Sequence, residues 1–325
     1  MNVVLIIPTG IGCEIGGHAG DANPVAKLLG QCCDKLILHP NVVNASDINE
    51  MPVNALYVEG SALDRFLRGE IYLDDNIFFN KILLVVNKPV IPDTINAMNA
   101  AKMTIGADIE LVELNTKLEM TGFYKDNKAD GTVKGWLELC KQIENYEFDA
   151  LAIQTDVQVD KETKFSYLRK GGVNPWGGVE AIASKLVSDK LDKPVAHSPF
   201  TDWSKGEDDL CDFFEVVDPR VAAEMVSVAY LHCILKGLHK APRIDYEKGL
   251  SADDVDFLVT PIDCVGNPHY ACMEAGIPII AVKENKNILK DKMPDSFIIV
   301  DNYIEAAGLL MAYKCGITVD SVRRK

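Results

Sequence analysis

Asn2-Val3-Val4-Leu5-Ile6-Ile7-Pro8-Thr9-Gly10-Ile11-Gly12-Cys13-Glu14-Ile15-Gly16-Gly17-His18-Ala19-Gly20-Asp21-Ala22-Asn23-Pro24 is the stretch whose reading decides the fold. A strand with one wet face alternates apolar and polar residues. The unbroken apolar run 3–7 instead fits a strand covered by helices on both faces. A glycine-rich turn follows at once, and Asn23-Pro24 opens a helical pattern.

The same order recurs along the chain. Short β-branched or apolar runs lie at 36–39, 55–58, 82–86, 109–114, 150–154, 195–197, 257–260, 277–282 and 297–300, with helical patterns between them. This alternation predicts an α/β protein of Rossmann-like parallel sheets with helices on both faces. Two lobes around a cleft are expected, an N-terminal one over 1–145 and a C-terminal one over 146–325. The ligand of such a fold sits beyond the carboxyl ends of the strands. Asp218-Pro219 caps a long helical pattern over 221–240. The polar stretches 125–134 and 204–209 read as loops or lids. Two proline-to-asparagine β-α-β spans, 89–115 and 261–285, are similar enough to raise an internal repeat.

Composition narrows the function. The 325 residues are 48% hydrophobic and 25% charged, which is ordinary for a globular chain. A net charge of −15 without a basic stripe argues against a nucleic-acid reader. The sequence offers no membrane span and opens without a basic leader, so a cytoplasmic location is expected. Nine cysteines, an odd number with no CxxC pair, point to reduced thiols rather than disulfides or a zinc site. Whether the chain forms a homo-oligomer stays open.

Three loops carry candidate chemistry. In the first, Thr9, Gly10, Gly12, Gly16, Gly17 and Asn23 precede a helix, a setting in which main-chain N–H groups and the helix start hold an anion. It follows neither the P-loop nor the GxGxxG pattern. The second, Gly171-Gly172-Val173-Asn174-Pro175-Trp176-Gly177-Gly178, repeats that arrangement, with Trp176 available to stack on a planar ligand. In the third, Asp263, Asn267 and His269 flank a helix start, and Cys264 is a candidate nucleophile. His18 in the first loop and His197 at a strand end are the acid–base candidates, oriented by Asp21 or Glu180. His39, His232 and His239 read as packing or surface residues. The carboxylates Glu14, Asp21, Glu180 and Asp263 are candidates to hold Mg²⁺ beside a phosphate.

Pro8-Thr9-Gly10-Ile11-Gly12, the run 16–24, Gly172–Ala181, Pro194–His197 and the run 276–285 together resemble a bacterial and plastid family, domain of unknown function 3326. The resemblance covers nearly the whole chain and implies no particular reaction. Gly16-Gly17-His18 before Asn23-Pro24, and Asn267-Pro268 with the run 274–280, are similar to the loops of two-lobed glycosyltransferases. That likeness implies a transferase acting on a phosphorylated or nucleotide-linked molecule. The residues themselves leave three readings open: such an enzyme, an NAD(P)-dependent or racemase-like enzyme on a carboxylate, or a small-ligand-binding protein without turnover. In each the partner is a small anionic molecule.

Overall fold

A computed structural model describes residues 1–17, 22–43, 50–76, 79–200, 216–219 and 230–323. In chain order the elements are β1 (Asn2–Leu5), α1 (Asn23–Gly30), β2 (Lys35–Leu38), α2 (Pro40–Val43), β3 (Ala55–Tyr57), α3 (Gly60–Leu67) and β4 (Tyr72–Asp74). Next come β5 (Lys81–Asn87), α4 (Pro92–Ile105), β6 (Asp108–Leu114), β7 (Glu119–Lys125), β8 (Lys128–Lys134), α5 (Trp136–Ile143) and β9 (Ala150–Gln158). They are followed by α6 (Lys161–Lys170), α7 (Gly177–Leu191), β10 (Val195–Phe200), α8 (Tyr230–His239) and β11 (Arg243–Asp245). The chain closes with β12 (Phe257–Pro261), α9 (Asn267–Ala275), β13 (Ile279–Val282), β14 (Ile298–Val300), α10 (Tyr303–Lys314) and α11 (Val319–Val322).

Two sheets result. The first is wholly parallel, in the order β3-β2-β1-β12-β13-β14. Counted within this sheet alone, the order is 3-2-1-4-5-6, with its reversal between β1 and β12. The apolar run at the chain start alternates between two cores. Val3, Leu5 and Ile7 pack with Ala26 and Leu29 of α1 and Leu310 of α10. Val4 and Ile6 pack with Leu63 and Phe66 of α3 and Cys272 of α9. The second sheet runs β6-β5-β9-β10 in parallel, with β7 joined to the end of β9 and the antiparallel β8 beyond it, and has helices α5 and α7 over one face and α4 and α8 over the other. The Rossmann-like α/β architecture read from the sequence is therefore the one observed. The two matched spans fold as β-α-β units, one in each sheet, and Gly106 and Gly276 end their helices in the left-handed conformation.

The first sheet takes strands from both ends of the chain, whereas the second is made of residues between Lys81 and Phe200. Position 145 thus falls inside the second sheet: β5 precedes it, β9 follows it, and the two pair through Leu83–Leu151 and Leu84–Ala152. The two segments that pass between the sheets pair with each other as the antiparallel ribbon β4–β11.

The polar stretch 125–134 is a strand rather than a loop or lid. β7 and β8 form a hairpin in full register, turning on Asp126 and Asn127, both with positive φ. That is the two-residue turn whose twist matches paired strands. None of the residues of β8 is fully buried, which accounts for the polar composition that conceals it in the sequence. Of the helix expected over 221–240, residues 230–239 are described. The stretch 204–209 lies outside the described residues. Among those described, no helix is long and apolar enough to cross a membrane.

Candidate functional site

The loops after β1, β2 and β3 all leave the carboxyl edge of the first sheet. There they meet the start of α7, the edge strand β10 and the start of α8. A cavity of about 380 Å³ lies between them. Thr9, Gly10 and Gly17 of the first loop line it, as do Asn174, Gly177 and Glu180 of the second, together with His197. Of the third loop Pro268 reaches it. Its neighbour Asn267 hydrogen-bonds the Asp64 carboxyl, and Asp64 is itself on the wall.

Other expected residues lie elsewhere. Gly12, Gly16, Asn23, Gly171, Gly172, Trp176, Gly178, Asp263 and His269 are not on the described wall. Trp176 stands edge-on to Tyr167, ring centroids 5.8 Å apart, and packs into a core. His269 uses both ring nitrogens inside its loop: Nδ1 accepts from Gly266 N–H at 3.0 Å and Nε2 meets Thr260 Oγ1 at 2.9 Å. Burial pushes the Cys264 thiol up to about 11, so it stays protonated and is a poor nucleophile. Asp263 holds a turn at positive φ. His18 and Asp21 lie outside the described residues.

Several of the glycines serve close packing. A Cβ on Gly12 would stand 3.1 Å from the Gly172 backbone, and one on Gly178 2.4 Å from the Ala129 backbone. One on Gly177 would stand 2.7 Å from Thr9 Cγ2. The first loop is therefore pressed against the second loop and β8, with Gly10 O also accepting from Ala129 N–H at 3.0 Å. Its other side is covered by residues 285–288. Glu14 N–H donates to Lys286 O and Ile15 N–H to Asn285 Oδ1, each at 2.9 Å, and Ile288 N–H donates to Ile11 O at 3.1 Å. Of the loop's main-chain donors, Glu14 N–H and Ile15 N–H are thus engaged by the chain itself.

Sequence reasoning missed His39, Tyr57 and Glu59, all on the cavity wall. Glu59, 5% exposed, caps α3. Its Oε2 accepts from Ser61 N–H and its Oε1 from Ala62 N–H, both at 2.9 Å, and across to α7 Ser188 Oγ lies 2.9 Å from Oε1 and 2.8 Å from Lys193 O, with one hydrogen to share between them. Burial outweighs those hydrogen bonds and raises its carboxyl to about 7. His39 Nδ1 accepts from Asn41 N–H at 3.2 Å, which places the ring hydrogen on Nε2, and burial lowers its pKa to about 4. His197 is buried, its Nε2 2.9 Å from Thr155 Oγ1, and burial lowers it to about 3. Among the described residues, His197 Nδ1 and the Tyr57 hydroxyl have no hydrogen-bond partner and are closed off from water. The missed signal was position: His39 directly follows β2, and Glu59 follows β3 by two residues.

The fold and cavity define an α/β protein with a cavity at the carboxyl ends of its strands. The chain belongs to the family described as protein of unknown function DUF3326, whose model matches residues 2–323. It is similar to a protein of Synechococcus sp. (strain ATCC 27144 / PCC 6301 / SAUG 1402/1) named an uncharacterized lipoprotein. The two are 31% identical over 350 residues, covering 98% of this chain and 92% of the relative. No solved structure matches the chain.

Proposed function

We propose that this chain is a small-molecule enzyme whose substrate enters the cavity between the two sheets and exchanges a proton with its wall. The observation that carries this reading is Glu59, a carboxyl raised to about 7 on the wall of that cavity. A group that titrates near the working pH both gives and takes a proton efficiently. His197, expected as the acid or base, serves here as a neutral hydrogen-bonding group, because a histidine lowered to about 3 is uncharged at pH 7. His39 has the same role, and Glu180 stands at the start of α7 on the same wall.

Of the reactions expected from the sequence, group transfer assisted by proton transfer fits this wall best. A bound dinucleotide has less support, since residues 285–288 cover the first loop where its diphosphate would lie. A binding protein without turnover has one observation in its favour: Glu59 already accepts two main-chain hydrogen bonds as a helix cap. The cytoplasmic location is likewise our inference. It rests on the eight described cysteines, all free thiols, whereas the name of the Synechococcus relative points to a membrane anchor. Fractionation of the source cells decides it, and recovery in the membrane fraction would contradict it.

The test of activity is to incubate the protein, or its Glu59→Gln variant, with a small-molecule extract of its source organism. Mass spectrometry then follows every component. One mass should fall and a related one rise with the unaltered protein, at least ~10²-fold faster than with the variant. Identical extracts after both incubations would contradict the enzyme reading.

A further inference from the structure

The contacts of one buried hydroxyl show where Glu59 carries its proton. Ser188, wholly buried on α7, has its Oγ 2.9 Å from Glu59 Oε1 and 2.8 Å from Lys193 O. A single hydrogen shared by both oxygens would give two bent and lengthened bonds. Both distances are instead those of full O–H···O hydrogen bonds, so each contact needs its own hydrogen. Ser188 brings one, and Lys193 O, a carbonyl, brings none. The second can come only from Glu59, on Oε1. Ser188 Oγ then accepts from Oε1–H and donates to Lys193 O. Oε1 keeps a lone pair for Ala62 N–H, and Oε2 accepts from Ser61 N–H.

An ionised Glu59 breaks this pattern. The carboxylate is the stronger acceptor and draws the Ser188 hydrogen to itself. Ser188 Oγ and Lys193 O are then left 2.8 Å apart with no hydrogen between them. The surroundings favour the neutral acid as well. Asp189 of α7, hydrogen-bonded by Ser61 Oγ, bears on Glu59 with like charge, and the Lys185 ammonium lies 3.5 Å from Asp189. Asp64 of α3 stands on the same wall, as do Tyr57 at the end of β3 and the neutral His39 and His197.

We infer that Glu59 rests as the neutral acid with its proton on Oε1, donated to Ser188 Oγ, and that Ser188 is a positioning residue that passes the loss of this proton on to Lys193 O, two residues ahead of β10. When a base takes the proton, the Oε1–H bond breaks and its electron pair stays on the carboxylate. The Ser188 hydrogen turns from Lys193 O to Oε1, so the new charge gains a donor as it appears. The use of this proton in a reaction rests on the reading of Glu59 as the acid of the cavity; its position does not.

Carbon NMR of the full chain between about pH 5 and 9 tests the relay. Glutamate labelled with ¹³C at its side-chain carboxyl reports Glu59, whose signal is identified by its loss in Glu59→Gln. Lysine labelled with ¹³C at its carbonyl, beside ¹⁵N-proline, reports Lys88 and Lys193, which precede Pro89 and Pro194. Glu59 should titrate near 7, and the Lys193 carbonyl should shift with the same midpoint while Lys88 stays still. That shift should vanish in Ser188→Ala and in Glu59→Gln; the second variant keeps the test decisive should the first not fold. A Glu59 carboxyl ionised throughout the range overturns the inference, because the second hydrogen is then missing. So does a Lys193 carbonyl that stays still while Glu59 titrates, or that shifts unchanged in either variant. Turnover in the extract incubation with a still Lys193 carbonyl would sink the relay alone. A coupled titration without turnover would sink the enzyme reading alone.

Discussion

Glu59 and His197 share one cavity wall, yet burial gives their contributions to stability opposite pH dependence. Glu59 is raised from 4.5 to about 7, so the folded chain holds its proton more tightly than the unfolded one. Its stabilisation is complete below 4.5 and fades as pH rises to 7. His197 is lowered from 6.5 to about 3, and His39 and His269 from 6.5 to about 4. Their stabilisation is complete above 6.5 and is lost as pH falls. Three histidines outweigh one carboxyl between pH 6.5 and 4.5, with each histidine losing about 2 kcal/mol by pH 5. Urea unfolding should therefore show a lower midpoint at pH 5 than at pH 7, a smaller difference in His197→Phe and a larger one in Glu59→Gln. Equal pH dependence in all three proteins would mean these groups are not buried as described. Position in the sequence marks these residues: His197 lies on a strand end, His39 directly follows β2, and Glu59 follows β3 by two residues.

Between residue and fold stand the elements, and here the glycines separate location from purpose. Their density marked the loops that meet at the cavity, because no other residue lets two backbones approach so closely. What it did not reveal is which surface they approach. Gly178 faces the Ala129 backbone of β8, a strand hidden in a polar sequence. Gly178→Ala should destabilise the fold by about 2 kcal/mol or more, since a Cβ 2.4 Å from backbone atoms forces strand and helix apart. Gly308, inside α10, would meet nothing within 4 Å. Gly308→Ala should stabilise by roughly 0.5–1 kcal/mol through helix propensity alone. Thermal unfolding of both variants measures the contrast, and equal shifts would contradict the packing account of the loops.

At the scale of the whole molecule, β-α alternation gave the architecture away, since continuous apolar strands require helices on both faces. Sheet membership was not readable in the same manner. One of the two partners of β1 is β12, more than 250 residues along the chain, and no local pattern encodes that pairing. The consequence is functional: bringing the two chain ends into one sheet sets the carboxyl edge of β1, β2 and β3 against β10, and the cavity forms there. Ala181, exposed on the first turns of α7, lines that cavity without supporting a core. Native mass spectrometry of protein purified from its source, unaltered and as Ala181→Trp, tests the central claim most directly. The cavity account predicts a small molecule retained by the unaltered protein and absent from an equally folded Ala181→Trp; equal retention by both would place the ligand somewhere else.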